Sequence, residues 1–235
     1  MIIETAKKIA LCLGLMMVLP ASLNAQAGGD VQSVIEQLNS AAAKFQSAQA
    51  DFTWDLFQAV VQEHDLQTGT IYYERNKGGM RVAAYIKQEN GKDAPKTVTF
   101  DGKQAQYYVP AIKQDTLINA GSNRSQWESF LTLGFGGSGT ELQANWKVSL
   151  QGTETMDGTL VDKLDLVPIQ TNVADMFSHV TIWIDPARGI SLKQIFYQPS
   201  GDTRTAVYKN IRYNVPLPHS VFELKLPKDV TRVVK

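Results

Sequence analysis

Residues able to do chemistry are few in this chain, and they are scattered. His64, His179 and His219 are its only histidines, and none is joined by a second His or a Cys at a metal-ligand spacing such as His-x-x-x-His. No serine sits in Gly-x-Ser-x-Gly: Gly136-Gly137-Ser138-Gly139-Thr140 lacks the final glycine, so a nucleophile elbow is not encoded there. Asp162 and Asp165 would fall on opposite faces of a strand, which is the wrong geometry for a carboxylate pair sharing one substrate. We therefore expect no enzyme, no metal and no cofactor.

Gly134-Phe135-Gly136-Gly137-Ser138-Gly139 satisfies Gly-x-Gly-x-x-Gly, a dinucleotide fingerprint when it follows a strand and opens a helix in a βαβ unit. Here it is expected to follow a helix and precede a strand. Glycines at this density are instead read as a flexing loop at a helix end, of the kind a lid over a cavity would use.

The elements that must position any site are mostly strands. Asp30 caps a helix whose apolar residues Val31, Val34, Ile35, Leu38, Ala42 and Phe45 recur at helical spacing to about Gln49. A meander follows: Phe52 to Gln62, Gly69 to Arg75, Met80 to Ile86, Thr97 to Phe100 and Gln104 to Val109, the last two joined by the hairpin signal Asp101-Gly102. Ser125 to Leu133 reads as a second helix through Trp127, Phe130 and Leu131. Trp146 to Leu150 and Leu160 to Val167 resume the strands, and Asn172 to Phe177 forms one helical turn. From Val180 to Pro227 short alternating strands are separated by Asp185-Pro186-Ala187-Arg188-Gly189, Pro199-Ser200-Gly201-Asp202 and Pro216-Leu217-Pro218. The fold class is mainly β (α+β), a single curved antiparallel sheet of roughly ten or eleven strands with two real helices, in one domain spanning 28–235.

Residues 1–27 read as a leader outside that domain. Lys7 and Lys8 precede the apolar run Ile9 to Val18, and Ala25-Gln26-Ala27 offers cleavage before Gly28, or after Ala25. Cys12, the only cysteine, leaves with the leader, and Leu11 before it does not fit a lipid-attachment site. The run falls short of a spanning helix, so an exported, soluble chain with its leader cleaved is expected. Basic and acidic residues balance at 23 each, and losing Lys7, Lys8 and Glu4 leaves the net charge within one unit of neutral. Such balance gives no electrostatic reason to expect nucleic acid or an acidic membrane as partner.

A sheet this wide curls, and two helices cannot fill a half-barrel, so apolar surface is left over. Leftover apolar surface of that size marks a ligand site. The expected lining is Trp54, Tyr72, Tyr85, Phe100 and Tyr107 from the first meander, with Ile182, Ile184, Leu192, Phe196, Val207, Ile211 and Phe222 from the second. Val34, Leu38 and Phe45 of the first helix, and Trp127, Phe130 and Leu131 of the second, would form the lid. Which face of each strand points inward is left open by alternation alone.

Several motifs in fixed order carry a resemblance: Gly69-x-Ile71-Tyr72-Tyr73-Glu74-Arg75, then Asp101-Gly102-Lys103 with Tyr107-Tyr108, the Gly134 loop, and the ending Phe222-Glu223-Leu224-Lys225-Leu226-Pro227-Lys228-Asp229-Val230. From about Val31 to Val230 the chain resembles the LolA-like periplasmic lipoprotein carriers. The resemblance implies an unclosed β-barrel with a small helical lid, whose interior carries lipoprotein acyl chains from an inner-membrane releasing transporter to an outer-membrane acceptor. It implies a periplasmic monomer that needs no nucleotide. Arg75 matches the family's arginine at the end of an early strand, which holds the lid shut by hydrogen bonds to helix carbonyls. Asn76 stands where the family has proline, and Met80 is nearest to where an aromatic follows. That departure bears on one-way handover more than on lipid binding.

Other readings are a periplasmic sensor of envelope stress built on the same fold, a carrier of another lipid, and a hydrolase using scattered residues. Sensors of that kind usually carry an additional C-terminal domain, whereas the sequence stops at Lys235, which places the carrier first. A hydrolase would need a converging polar cluster that nothing in the sequence predicts.

Overall fold

A computed structural model describes residues 30–119 and 133–234. The expected leader and its expected cleavage site lie outside these residues, as do Trp127, Phe130 and Leu131 with nearly all of the expected second helix.

Helix α1 spans Val31–Lys44, with the Asp30 carboxylate accepting the Gln32 N–H at 3.2 Å. Its buried stripe is Val34, Ile35, Leu38, Ala41 and Ala42. The helix stops short of Gln49 because a distant residue fastens the exit. Asn214 donates from its amide nitrogen to the Lys44 carbonyl at 2.9 Å, and its amide oxygen accepts the Gln46 N–H at 2.8 Å. Satisfying these chain-end groups from outside lets the backbone turn extended at Phe45 and enter a strand.

The strands are β1 (Ser47–Gln58), β2 (Glu63–Asn76), β3 (Gly79–Glu89), β4 (Lys92–Phe100), β5 (Gln104–Val109), β6 (Gln114–Asn119), β7 (Trp146–Met156), β8 (Thr159–Pro168), β9 (His179–Asp185), β10 (Ile190–Tyr197), β11 (Thr203–Tyr213) and β12 (Thr231–Val234). They form one 12-stranded sheet in the order β12-β6-β5-β4-β3-β2-β1-β11-β10-β9-β8-β7. Edge strands β12 and β7 do not pair with each other, so the barrel is unclosed. Two meanders, β1 to β6 and β7 to β11, meet where β1 pairs with β11.

The expected all-antiparallel sheet of ten or eleven strands is corrected at one edge, where β12 runs parallel to β6. The Arg232 Nε donates at 2.9 Å to Asp115, a fully buried carboxylate that also accepts from Gln106 at 2.8 Å. A buried charge needs such partners, and this pair fixes β12 on the edge. A second correction concerns Phe222 to Leu226, which form no strand. Pro218 leads instead into a 3₁₀ turn, His219–Phe222, laid on the outer face of the sheet. There the Arg81 guanidinium covers the Phe222 ring at 4.0 Å, and the Tyr85 hydroxyl donates to the Val221 carbonyl at 2.8 Å.

Two short α-helices join α1 among the described residues: α2 (Gly139–Asn145) and α3 (Thr171–Ala174). The α3 turn matches the expected one near Asn172. The α2 helix was not expected, although Ser138 and Glu141 form a capping box at its start. The glycine run therefore opens a helix, but the helix stands over an antiparallel sheet rather than in a βαβ unit.

Candidate functional site

Alternation along β3 fixes the two faces. Met80, Val82, Ala84 and Ile86 are buried among apolar residues, whereas Arg81, Tyr85 and Lys87 take the other side. Cross-strand partners share a face, so the register carries this assignment around the barrel. Ala84 faces Ile71 of β2 and Val98 of β4; Val82 faces Tyr73 and Phe100; Ala50 and Ala48 of β1 face Ile71 and Tyr73. On the far side Trp54 faces Ala206, Phe52 faces Tyr208, and Ile182 and Val180 of β9 face Gln194 and Phe196 of β10.

The inner face so defined encloses a cavity of about 130 Å³ lined by Trp54, Ile71, Tyr73, Val82, Ala84, Val98, Phe100, Leu133, Phe196, Ala206 and Tyr208, with Thr99, Gln194 and Arg204 as polar members. Gln194 donates to the Leu133 carbonyl at 2.5 Å and accepts from the Tyr208 hydroxyl at 3.3 Å. Burial pushes the Tyr208 phenol up to about 12, and pushes Tyr73 in the same direction. Both are neutral phenols at physiological pH, so neither serves as a ready base. Among the described residues no three His, Cys, Asp or Glu side chains gather as a metal would need. His64 sits against Asp55 and His219 against Glu223, both outside the cavity, and His179 stacks on Tyr197.

The glycine loop is a plug. Phe135 is fully buried, stacked on the Tyr73 ring at 4.1 Å and edge-on to Tyr208 at 4.8 Å. It bridges Ile190, while the Ser191 N–H donates to the Gly134 carbonyl at 2.6 Å and the Gly136 N–H to the Gly189 carbonyl at 3.0 Å. The glycines allow close approach. A Cβ on Gly136 would lie 2.4 Å from the Phe45 ring, and one on Gly139 would lie 2.4 Å from the Ile35 carbonyl of α1. The Arg75 Nη2 donates to the Gly136 carbonyl at 2.6 Å. Among the described residues the Arg75 guanidinium is thus fastened to the loop.

Of the expected lining, Trp54, Phe100 and Phe196 line the cavity. Ile182 and Ile184 are on the inner face but already packed with Val34 and Leu38 of α1, and Phe45 packs beside the plug. Tyr107 shares the inner face with its partner Val98 and is half-buried outside the cavity lining.

The others face elsewhere. Tyr72 and Tyr85 meet edge to face at 6.0 Å on the outer side, under the Ser220–Val221 stretch. Val207 lies between the inward Ala206 and Tyr208 and so points out. Leu192 is skipped in the β9–β10 register, and this bulge turns it into an outer cluster with Val161 and Trp183. Ile211, just after the left-handed Asn210, touches both the inner and the outer cluster. Phe222 lies under Arg81 on the outer face.

Tyr73, Ile71, Val82 and Tyr208 were not picked out from the sequence. The β3 sequence held the signal: its apolar residues at 80, 82, 84 and 86 oppose a face carrying Arg81 and Lys87, which already sends Tyr85 outward.

No protein-family model and no curated protein sequence matches the chain. Among solved structures, a conserved protein of uncharacterised function from Thermus thermophilus aligns at 11% identity over 87% of this chain and 98% of its own, with TM-score 0.55. MucB aligns at 14% identity over 83% of this chain and 63% of its own, with TM-score 0.53. A LolA superfamily protein from Nitrosomonas europaea aligns at 14% identity over 83% and 98%, with TM-score 0.42. This chain spans less than two thirds of the length of MucB. At these identities the likeness is one of fold.

Proposed function

We propose, on the premise of the LolA-like fold of this chain, that it is a carrier that shields acyl chains of lipoproteins or other lipids inside its barrel. The observation that supports this reading most is an apolar inner face stopped by an aromatic plug carried on a loop rather than on the sheet. As it stands, the cavity is a little smaller than an engineered one of roughly 150 Å³ that holds benzene, so an acyl chain enters only if Phe135 withdraws. The exchange is favourable. Burying a methylene is worth about 0.8 kcal/mol, so a chain of roughly a dozen gains on the order of 10 kcal/mol, against about 1.5–3 kcal/mol for the displaced phenylalanine. A plug that competes with cargo for one surface also gives release a driving force, which a rigid apolar pocket would lack.

On this reading the protein works in the periplasm without cofactor or catalysis, between a membrane-bound donor and an outer-membrane acceptor. No helix among the described residues is long and apolar enough to cross a membrane.

Arg75 is the latch. A hydrogen bond from a charged donor contributes about 1.5–3 kcal/mol, and the solvent exposure of Arg75 places it at the low end. Arg75→Leu should therefore weaken the docked plug and raise the affinity for a lipid or apolar dye by about tenfold in an equilibrium titration. Equal affinity in both proteins would remove the latch role. The sensor reading would gain if the cavity of wild-type protein took up no apolar dye while the protein bound an inner-membrane signalling protein tightly.

A further inference from the structure

We propose that Arg204 recognises an anionic head group on the amphipath whose tail enters the barrel. The inference rests on the carrier reading and names its ligand class: an acyl chain ending in a carboxylate or phosphate.

Arg204 belongs to the inner face, two residues before Ala206, and it lines both the cavity and an outer groove formed with Asp175, Met176 and Phe177. It is thus the one cation spanning the passage from apolar interior to rim among the described residues. No hydrogen bond, ion pair or ring contact engages its guanidinium among those residues, and Asp175 in the same groove lies beyond salt-bridge distance. Burial by itself lowers its pKa, with no carboxylate holding it up. Three other cations of the sheet are paired with carboxylates: Arg81 with Glu74, Lys96 with Glu89 and Arg232 with Asp115. The guanidinium is exposed by surface area and stands at the cavity mouth without a counter-ion. It offers a paired set of donors to an incoming anion.

The geometry also places the tail. Arg204 pairs with Leu56 and Phe196 in the sheet, so an anion bound there directs its chain toward Phe196 and Trp54, which line the cavity. Apolar residues stand free on the same rim. Val60 is 89% and Val61 55% exposed at the tip of the β1–β2 hairpin, whose Ala59 N–H bonds Asp202 at 2.8 Å, and Met176 is 51% exposed. Such a rim suits contact with the surface from which an amphipath is drawn.

The test measures displacement of a neutral apolar dye from the purified protein by dodecanoate and by 1-dodecanol, which share a chain and differ in charge. Wild type should bind dodecanoate about tenfold more tightly than the alcohol, the order expected of a charge-assisted bond. Arg204→Gln should bring the ratio of affinities to near one, and Arg204→Lys should retain part of it. Inorganic phosphate at the same concentration should displace no dye and should not weaken dodecanoate. A wild-type ratio near one, with both probes displacing dye, overturns the inference and leaves the carrier reading standing. A ratio that survives in Arg204→Gln overturns it as well, as does competition by inorganic phosphate, which would mark a free-anion site independent of the tail. Failure of dye and both probes to bind at all overturns the inference together with the carrier reading.

Discussion

Phe135→Ala is expected to destabilise the protein by about 3–5 kcal/mol while increasing its uptake of a neutral apolar dye. Both effects come from one vacancy. The Phe135 ring has no exposed surface and touches Tyr73 and Tyr208 across the barrel, so deleting it removes aromatic packing that the rigid sheet cannot recover by collapse. In a protein of this size the loss should lower the thermal midpoint by roughly 6–20 °C. The new space joins the cavity beside Tyr73 and Tyr208, which line both. Fluorescence titration with the dye should give higher affinity than wild type, and saturating dye should restore part of the lost thermal stability by linkage. If Phe135 were ordinary core, stability would fall and dye uptake would not rise.

Gly136→Ala is expected to cost about 2–4 kcal/mol, from left-handed backbone strain plus overpacking, and to raise dye uptake with Phe135 still present. Gly136 has φ +75°, and an added Cβ would meet three atoms of the Phe45 ring within 2.9 Å. Neither the strain nor the clash can be relieved while the loop stays docked, so the loop backs out and takes Phe135 and the Arg75 bond with it. Gly91 supplies the control: it also has φ +75°, but nothing lies within 4 Å of its would-be Cβ. Gly91→Ala should show the backbone strain alone, about 1–2 kcal/mol, with dye uptake at the wild-type level. Equal uptake by Gly136→Ala and Gly91→Ala in the same titration would mean the loop is not the plug.

The barrel was readable because alternation and turn chemistry are local. Asp101-Gly102 and Gly78-Gly79 mark hairpins within a few residues, and the meander follows from them. What was not readable depends on partners far away in the chain. The end of α1 is set by Asn214, about 170 residues on. Leu192 faces outward because of a bulge whose register is fixed only once β9 is paired. The Phe222 segment alternates as a strand would, yet its apolar residue is claimed by Arg81 on the outer face.

The glycine run was the most misleading stretch. Its composition is compatible with mobility and with close approach, and the close approach shows only once Phe45, Ser191 and Ile35 are in place around it. The capping box Ser138-x-x-Glu141 was the local signal that a helix begins there. Choosing Tyr72 over Tyr73 shows the same limit in one dipeptide: both suit a strand, and the neighbouring charges on β3, not the tyrosines themselves, tell which one is inside.

The most direct test of an acyl-binding barrel is native mass spectrometry of the protein purified from a periplasmic extract without detergent. The account predicts a population carrying an added mass that tandem dissociation resolves into an acyl-bearing lipid or lipoprotein, and predicts that this population is larger in Arg75→Leu. A wild-type protein recovered entirely at its bare mass, and still unable to take up a neutral apolar dye or an acyl chain added afterwards, would contradict it.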